Sequence, residues 1–138
     1  MATFVKFQPF VENLAEGKFD FTSDATCTPT IALSAGAPTN TWGTLAECTE
    51  VAYTNLSARV VTVTSSSQTA GTYKLVLEDL TLTASGVVAD WRYVILYDDD
   101  AASDELIAYW DKGATVSMTS GDTVLINFDG TNGVFQLV

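Results

Sequence analysis

Between Tyr93 and Trp110 the sequence reads YVILYDDDAASDELIAYW, and its acids Asp98, Asp99, Asp100, Asp104 and Glu105 fall within eight residues. Clustered carboxylates serve two chemistries. Calcium takes several carboxylate and carbonyl oxygens at once. An EF-hand loop begun at Asp98 carries Asp100 at its third position. Its fifth, sixth and twelfth positions are Ala102, Ser103 and Tyr109, where an acid or amide, a glycine and a glutamate belong. That pattern fails, which leaves a looser calcium site on Asp98, Asp100 and Asp104. Paired carboxylates also hydrolyse glycosides, but they need a cleft and a raised pKa, and consecutive acids on a turn offer neither.

The flanks of the acidic run support a plainer reading. Trp91, Tyr93, Ile95 and Tyr97 alternate with Arg92, Val94 and Leu96. Leu106, Ala108 and Trp110 alternate with Ile107, Tyr109 and Asp111. Strands apolar on both faces lie centrally in a fold. The acids then form the polar tip of a hairpin, where charge keeps two hydrophobic strands soluble.

Other reactive side chains are few. The absence of histidine removes Ser-His-Asp and Cys-His catalysis and imidazole metal sites. Cys27 and Cys48, without histidine, do not make a zinc site. Three states remain open to them: free thiols, an intrachain disulfide across the irregular segment they flank, or interchain bonds from exposed positions. Trp42, in TNTWGTL, is either a contact anchor or a ring folded back over the rim. NLS at Asn55–Ser57 fits a glycosylation pattern that has meaning only on secretion, and TSGD lacks the context of a phosphate loop. No cofactor is expected.

The chain has 138 residues, 47% of them hydrophobic, so a single domain with its own core is expected over 1–138. Six basic residues stand against 17 acidic ones, a net charge of −11. The cations Lys6, Lys18, Arg59, Lys74, Arg92 and Lys112 are scattered. Nucleic-acid binding needs a basic patch, so it is not expected. No apolar run approaches a membrane helix and the N-terminus lacks a secretion-signal pattern, so synthesis in a cytoplasm and no membrane association are expected.

One segment reads as helix. In KFQPFVENLAEGKF, Phe7, Phe10, Val11 and Leu14 recur at helical spacing, Pro9 suits a first turn and Gly17 a stop, which defines a short amphipathic arm over 1–18. Thereafter Thr, Val, Leu, Ile and Tyr alternate between Gly, Asn, Asp and Ser punctuation. The predicted strands are 19–21, 30–34, 58–65, 72–77, 80–84, 91–97, 106–111, 115–118, 123–128 and 134–138. SSSQTAG and DGTNG read as hairpin connections. Residues 35–57 have no period and read as a long surface excursion with one helical turn near Leu45. The expected fold is an all-β antiparallel sandwich, Ig-like or jelly-roll-like, or a small barrel, with the short helix or arm at its N-terminus.

Several of these segments together resemble a group of small virion structural proteins of tailed bacteriophages. FVKFQPFVENLAEGKFDF is similar to that group's opening, a short amphipathic arm ahead of the first strands. TSSSQTAGTYKLVLEDLTLTASG followed by WRYVILYDDDAASDELIAYWDKG is the most specific part. Tyr73-Lys74-Leu75, Arg92-Tyr93 and Ile107…Trp110-Asp111…Gly113 stand where the group's strand pattern has its counterparts. The tail GDTVLINFDGTNGVFQL resembles its closing hairpin. The likeness covers most of Phe4 to Val138. The cysteines and the middle loop depart from it.

The resemblance implies a non-enzymatic protein that decorates or stabilises a capsid exterior. It implies binding to the major capsid protein, in a homo-oligomer or symmetric array, after synthesis in a bacterial host. Phe7, Phe10, Leu14 and Trp42 are the expected partner contacts, with disulfides as crosslinks. A neck or tail component is the near alternative. A carbohydrate- or receptor-binding adhesin, using Trp42 or a calcium-loaded acidic loop, is the alternative of a different class. A hydrolase finds no nucleophile–base pair here.

Overall fold

A computed structural model describes residues 3–22 and 26–138. In chain order its elements are β1 (Thr3–Lys6), α1 (Gln8–Ala15), β2 (Pro29–Ser34), a single 3-10 turn (Leu45–Glu47), β3 (Val63–Thr69), β4 (Thr72–Leu77), β5 (Leu80–Thr83), β6 (Val88–Asp98), β7 (Leu106–Met118), β8 (Thr123–Ile126) and β9 (Phe135–Leu137). The expectation of an all-β antiparallel, sandwich-like fold with one short helix holds. The strands form a four-stranded sheet in the order β1-β7-β6-β2, a three-stranded sheet β3-β4-β9 and a pair β5-β8.

The doubly apolar strands are central, as their patterns require. β6 and β7 occupy the middle of the four-stranded sheet, and Val94 to Asp98 and Glu105 to Ala108 are buried without interruption. β2 is buried along its whole length. Its outer edge is covered by irregular chain: Ile31 N–H donates to Arg59 O (3.0 Å), Val61 N–H to Pro29 O (2.8 Å) and Val51 N–H to Leu33 O (2.9 Å). Residues 58–62, expected as strand, therefore run along β2 with only an isolated bridge at Val60.

The two strands predicted at 106–111 and 115–118 are one. β7 continues through a bulge, because Tyr93 pairs with Asp111 while Trp91 pairs with Val116. Gly113 takes a φ of +81° inside the bulge, a region open to glycine at little cost. Asp111 closes it: its Oδ1 accepts from Arg92 Nε (2.7 Å) and Gly113 N (2.7 Å), and its Oδ2 from Arg92 Nη2 (2.8 Å). These bonds hold the Asp111 carboxyl below the usual range, the Arg92 pair being the largest cause.

The N-terminal arm packs on its own chain. Residues 3–6, read from sequence as part of the arm, pair with β7 from Asp111 to Ala108. Helix α1 ends in a Schellman motif, with Lys18 N–H donating to Asn13 O (2.9 Å) and Gly17 N–H to Leu14 O (3.3 Å). Phe10 lies 5.2 Å from both Phe19 and Phe135, and Phe19 stacks on Phe21 at 5.3 Å. Residues 19–21 are not the expected strand; their rings join α1 to the three-stranded sheet.

SSSQTAG is the expected hairpin, closed by Ala70 and Gly71 at positive φ. DGTNG is not. β8 pairs with β5 and β9 with β4, so this segment crosses between sheets. The crossing depends on Gly133 (φ +78°), whose close approach lets Val134 N–H donate to Leu75 O (2.7 Å). A Cβ on Gly133 would lie 2.6 Å from that oxygen, whereas one on Gly130 meets nothing within 4 Å. Gly133→Ala should therefore destabilise the fold by about 2–4 kcal/mol through clash and backbone strain. Chemical denaturation should show Gly130→Ala within about 0.5 kcal/mol of the parent chain.

Candidate functional site

The acidic hairpin tip and the irregular excursion meet at one end of the molecule. Leu106 N–H donates to Gly43 O (2.9 Å) and Leu45 N–H to Asp104 O (3.0 Å), so the chain around Trp42 is tied to the tip. The predicted helical turn is present as Leu45–Glu47, held by a capping box in which Glu47 Oε2 accepts from Gly43 N (2.6 Å) and Thr44 N (3.0 Å). On the other side Asp99 N–H donates to Thr28 O (3.1 Å) and Thr28 Oγ1 to Asp100 Oδ2 (2.5 Å). The sequence-predicted residues Cys27, Trp42, Cys48, Asp98, Asp100 and Asp104 thus belong to one neighbourhood, which also carries exposed Glu47, Glu50 and Asp99.

The tip is not simply a solvated turn. Asp98 is 1% exposed and Glu105 5%. Asp98 Oδ1 accepts from Thr28 N (3.0 Å) and Asp100 N (3.1 Å), and Glu105 Oε2 from Ser103 N (3.0 Å). These acids organise the loop from within. Burial pushes the Asp98 carboxyl above the usual range despite its hydrogen bonds, which include one from the Cys27 thiol. Asp104, at a φ of +52°, is also pushed up, first by burial and then by the charges of Asp99, Glu105 and Glu50. Asp98, Asp100 and Asp104 do not converge as calcium ligands; among the described residues no three His, Cys, Asp or Glu side chains are grouped to hold a metal.

No disulfide joins Cys27 and Cys48. Cys27 is fully buried, so the expectation that it lies exposed for crosslinking is overturned. Its place beside Asp98, behind the first residues of β2, is core rather than surface. Cys48 is half-buried, and burial with the charges of Glu50 and Glu47 pushes its thiol up to about 12. Trp42 is half-buried against the core, the folded-back alternative. Phe7 (0% exposed) and Phe10 (2%) are spent inside the chain's own core, which corrects their expected role as partner contacts. Leu14 is half-buried against the same core.

A second feature lies away from the acidic end. Between the β1/β7 edge and the segment following β8 is a cleft of about 640 Å³. Phe4, Trp110 and Phe128 line it as a chain of edge-to-face rings, 5.5 Å and 5.8 Å between successive centroids. Leu125 adds a half-exposed apolar side chain, and Lys112 and Asn127 bring polar groups. Asp79 fixes that wall, accepting from Asn127 Nδ2 (2.8 Å) and Phe128 N (2.8 Å). The alternation of Leu106, Ala108 and Trp110 reads Trp110 only as part of a central strand, and in the structure it is half-buried. The legible signal was Leu125, an apolar residue on the outward face of β8, opposite Val124 and Ile126.

Comparison with protein-family models, curated proteins and solved structures finds no match to this chain.

Two measurements probe the acidic end. A carboxyl raised in the folded state binds its proton more tightly there than in the unfolded chain. Its stabilising contribution is therefore complete below the ordinary carboxylate value and is lost as pH rises through the folded value. Asp98→Asn keeps the acceptor for Thr28 N and Asp100 N but removes the charge. In urea unfolding, the stability of the parent chain relative to Asp98→Asn should increase as pH falls from about 7 toward 4. Thiol alkylation of the native protein should modify Cys48 slowly and leave Cys27 untouched until the chain unfolds.

Proposed function

We propose that this chain is a non-enzymatic structural component of a tailed-bacteriophage particle, seated on the capsid exterior against the major capsid protein. The carrying observation is where the resembling residues lie. Arg92, Asp111 and Gly113 form a single hydrogen-bonded clamp on the central hairpin. Ile107 and Leu75 are core side chains of β7 and β4. Tyr73 packs at 5.9 Å on Phe135 and pairs its hydroxyl with Ser66 (2.8 Å). The likeness to the phage group therefore falls on residues that specify the central strands, which is what a shared structural role would preserve.

The charge supports the exterior. Glu47, Glu50, Asp99, Asp100 and Asp104 gather at one end of a chain of net charge −11. Such a surface is repelled by packaged nucleic acid and suits a basic patch on a shell protein. Disulfide crosslinking is not part of this reading, because Cys27 is sealed in the core.

The test is copy number in purified particles, by quantitative mass spectrometry. A decoration protein should be present at on the order of hundreds of copies, following the symmetry of the shell. A count of about a dozen would move the assignment to the neck or tail. Absence from washed particles would end the virion reading.

A further inference from the structure

The aromatic cleft is independent of the acidic end and of the virion reading, and its chemistry is specific. Its first wall comes from β1 and β7 and carries Phe4, 41% exposed, beside Trp110 and Lys112. Its second wall runs from β8 into the segment after it and carries Leu125, 54% exposed, with exposed Asn127 and the largely buried ring of Phe128. A small domain ordinarily turns aromatic and leucine side chains inward when it can. Here two are held open across a cleft whose volume lies in the range of small-molecule sites.

The polar groups narrow the ligand. Asp79 takes one of the two Nδ2 hydrogens of Asn127, which fixes the amide and leaves its second N–H and its carbonyl oxygen for a ligand. Lys112 is a pure donor and makes no ion pair among the described residues. Asp129, also on the lining, has its carboxylate fixed by Thr131 N (2.9 Å) and Asn132 N (2.8 Å) on Oδ1 and by Asn132 Nδ2 (2.9 Å) on Oδ2. A matching ligand must lay an apolar face on aromatic rings while donating and accepting hydrogen bonds around its rim. A hydrocarbon lacks the rim, and a simple anion lacks the face and meets Asp129. A pyranose ring has both: an apolar C–H face and a circumference of hydroxyls, each able to donate and accept. We infer that the cleft between Phe4, Trp110 and Phe128 is a binding site for a pyranose sugar of a surface glycan, with Lys112 and Asn127 reading its hydroxyls.

The site differs from the sugar-binding alternative that the sequence suggested, which used Trp42 or a calcium-loaded tip. It needs no metal. The full-length protein is screened on an array of bacterial and eukaryotic glycans. The best binder is then titrated into ¹⁵N-labelled protein. The expected result is a saturable set of amide shifts confined to residues 3–5, 110–112 and 125–134. Lys112→Ala, at an exposed position, should keep the parent amide spectrum elsewhere, and Asn127→Ala, exposed but bonded to Asp79, should add shifts only around residues 79 and 127–128. Each should weaken binding by about tenfold, the loss of one hydrogen bond. Trp110→Phe, which keeps an apolar ring in the core-facing wall, should weaken it further. No glycan retained on the array above the level of the Lys112→Ala, Asn127→Ala double variant would overturn the inference. So would shifts centred on Trp42 or the acidic tip, or indole binding in the cleft while every sugar is silent.

Discussion

The register between β6 and β7 is the constraint on which the other contacts depend. Both strands are apolar on both faces, so neither face by itself says which residue stands opposite which. The pairing is pinned at its two ends instead. At one end Arg92 grips Asp111 through two parallel bonds, and a bulge at Gly113 absorbs the extra length of β7. At the other, Asp98 and Glu105 are buried and draw the loop's own amides onto their carboxylates. A slip of one residue would separate Arg92 from Asp111 and carry a buried carboxylate away from its donors. Leaving such a group unpaired in the interior is costly.

Once that hairpin is fixed, the rest of the chain docks on it. β1 pairs along Ala108 to Asp111, and β2 along Tyr93 to Asp98. The excursion then fastens to β2 and to the tip. Tyr53 receives Leu33 N–H on its hydroxyl (2.9 Å) and donates to Glu50 (2.7 Å). The Arg59 guanidinium sits 3.6 Å above the Tyr53 ring. A long segment with a single 3-10 turn as its regular structure is thereby tied to the sheet through side chains whose pairing is not periodic. Among the buried side chains of the described residues Trp91 is the exception: its ring is fully buried and its Nε1–H finds no acceptor.

This division explains what was legible in the sequence. Alternation located β4 to residue accuracy and β5, β6 and the start of β7 closely, because those patterns are local. Gly17 as helix stop and the turn at Leu45 were legible for the same reason. The sites were not. Asp98 and Asp99 are neighbours in sequence, and only the fold buries one and exposes the other. Cys27 looked exposed among threonines, yet the tip closes over it. Phe7 and Phe10 showed an apolar stripe without showing what covers it, and the cover is the chain's own Tyr109, Phe19 and Phe135. The cleft joins Phe4 to Trp110 and Phe128, three residues from distant parts of the chain, so no local window contains it.

The covering of β2 also has a consequence for polymerisation. A sheet open on both sides can add strands at each edge and grow without limit. In the four-stranded sheet one side is sealed by the backbone of residues 51–61, bonded to Pro29, Ile31 and Leu33. The other side is the four-residue β1, open to solvent with Lys6 exposed on it. Edge-to-edge pairing through this sheet is therefore monovalent. It closes after a single partner and cannot propagate into a fibre.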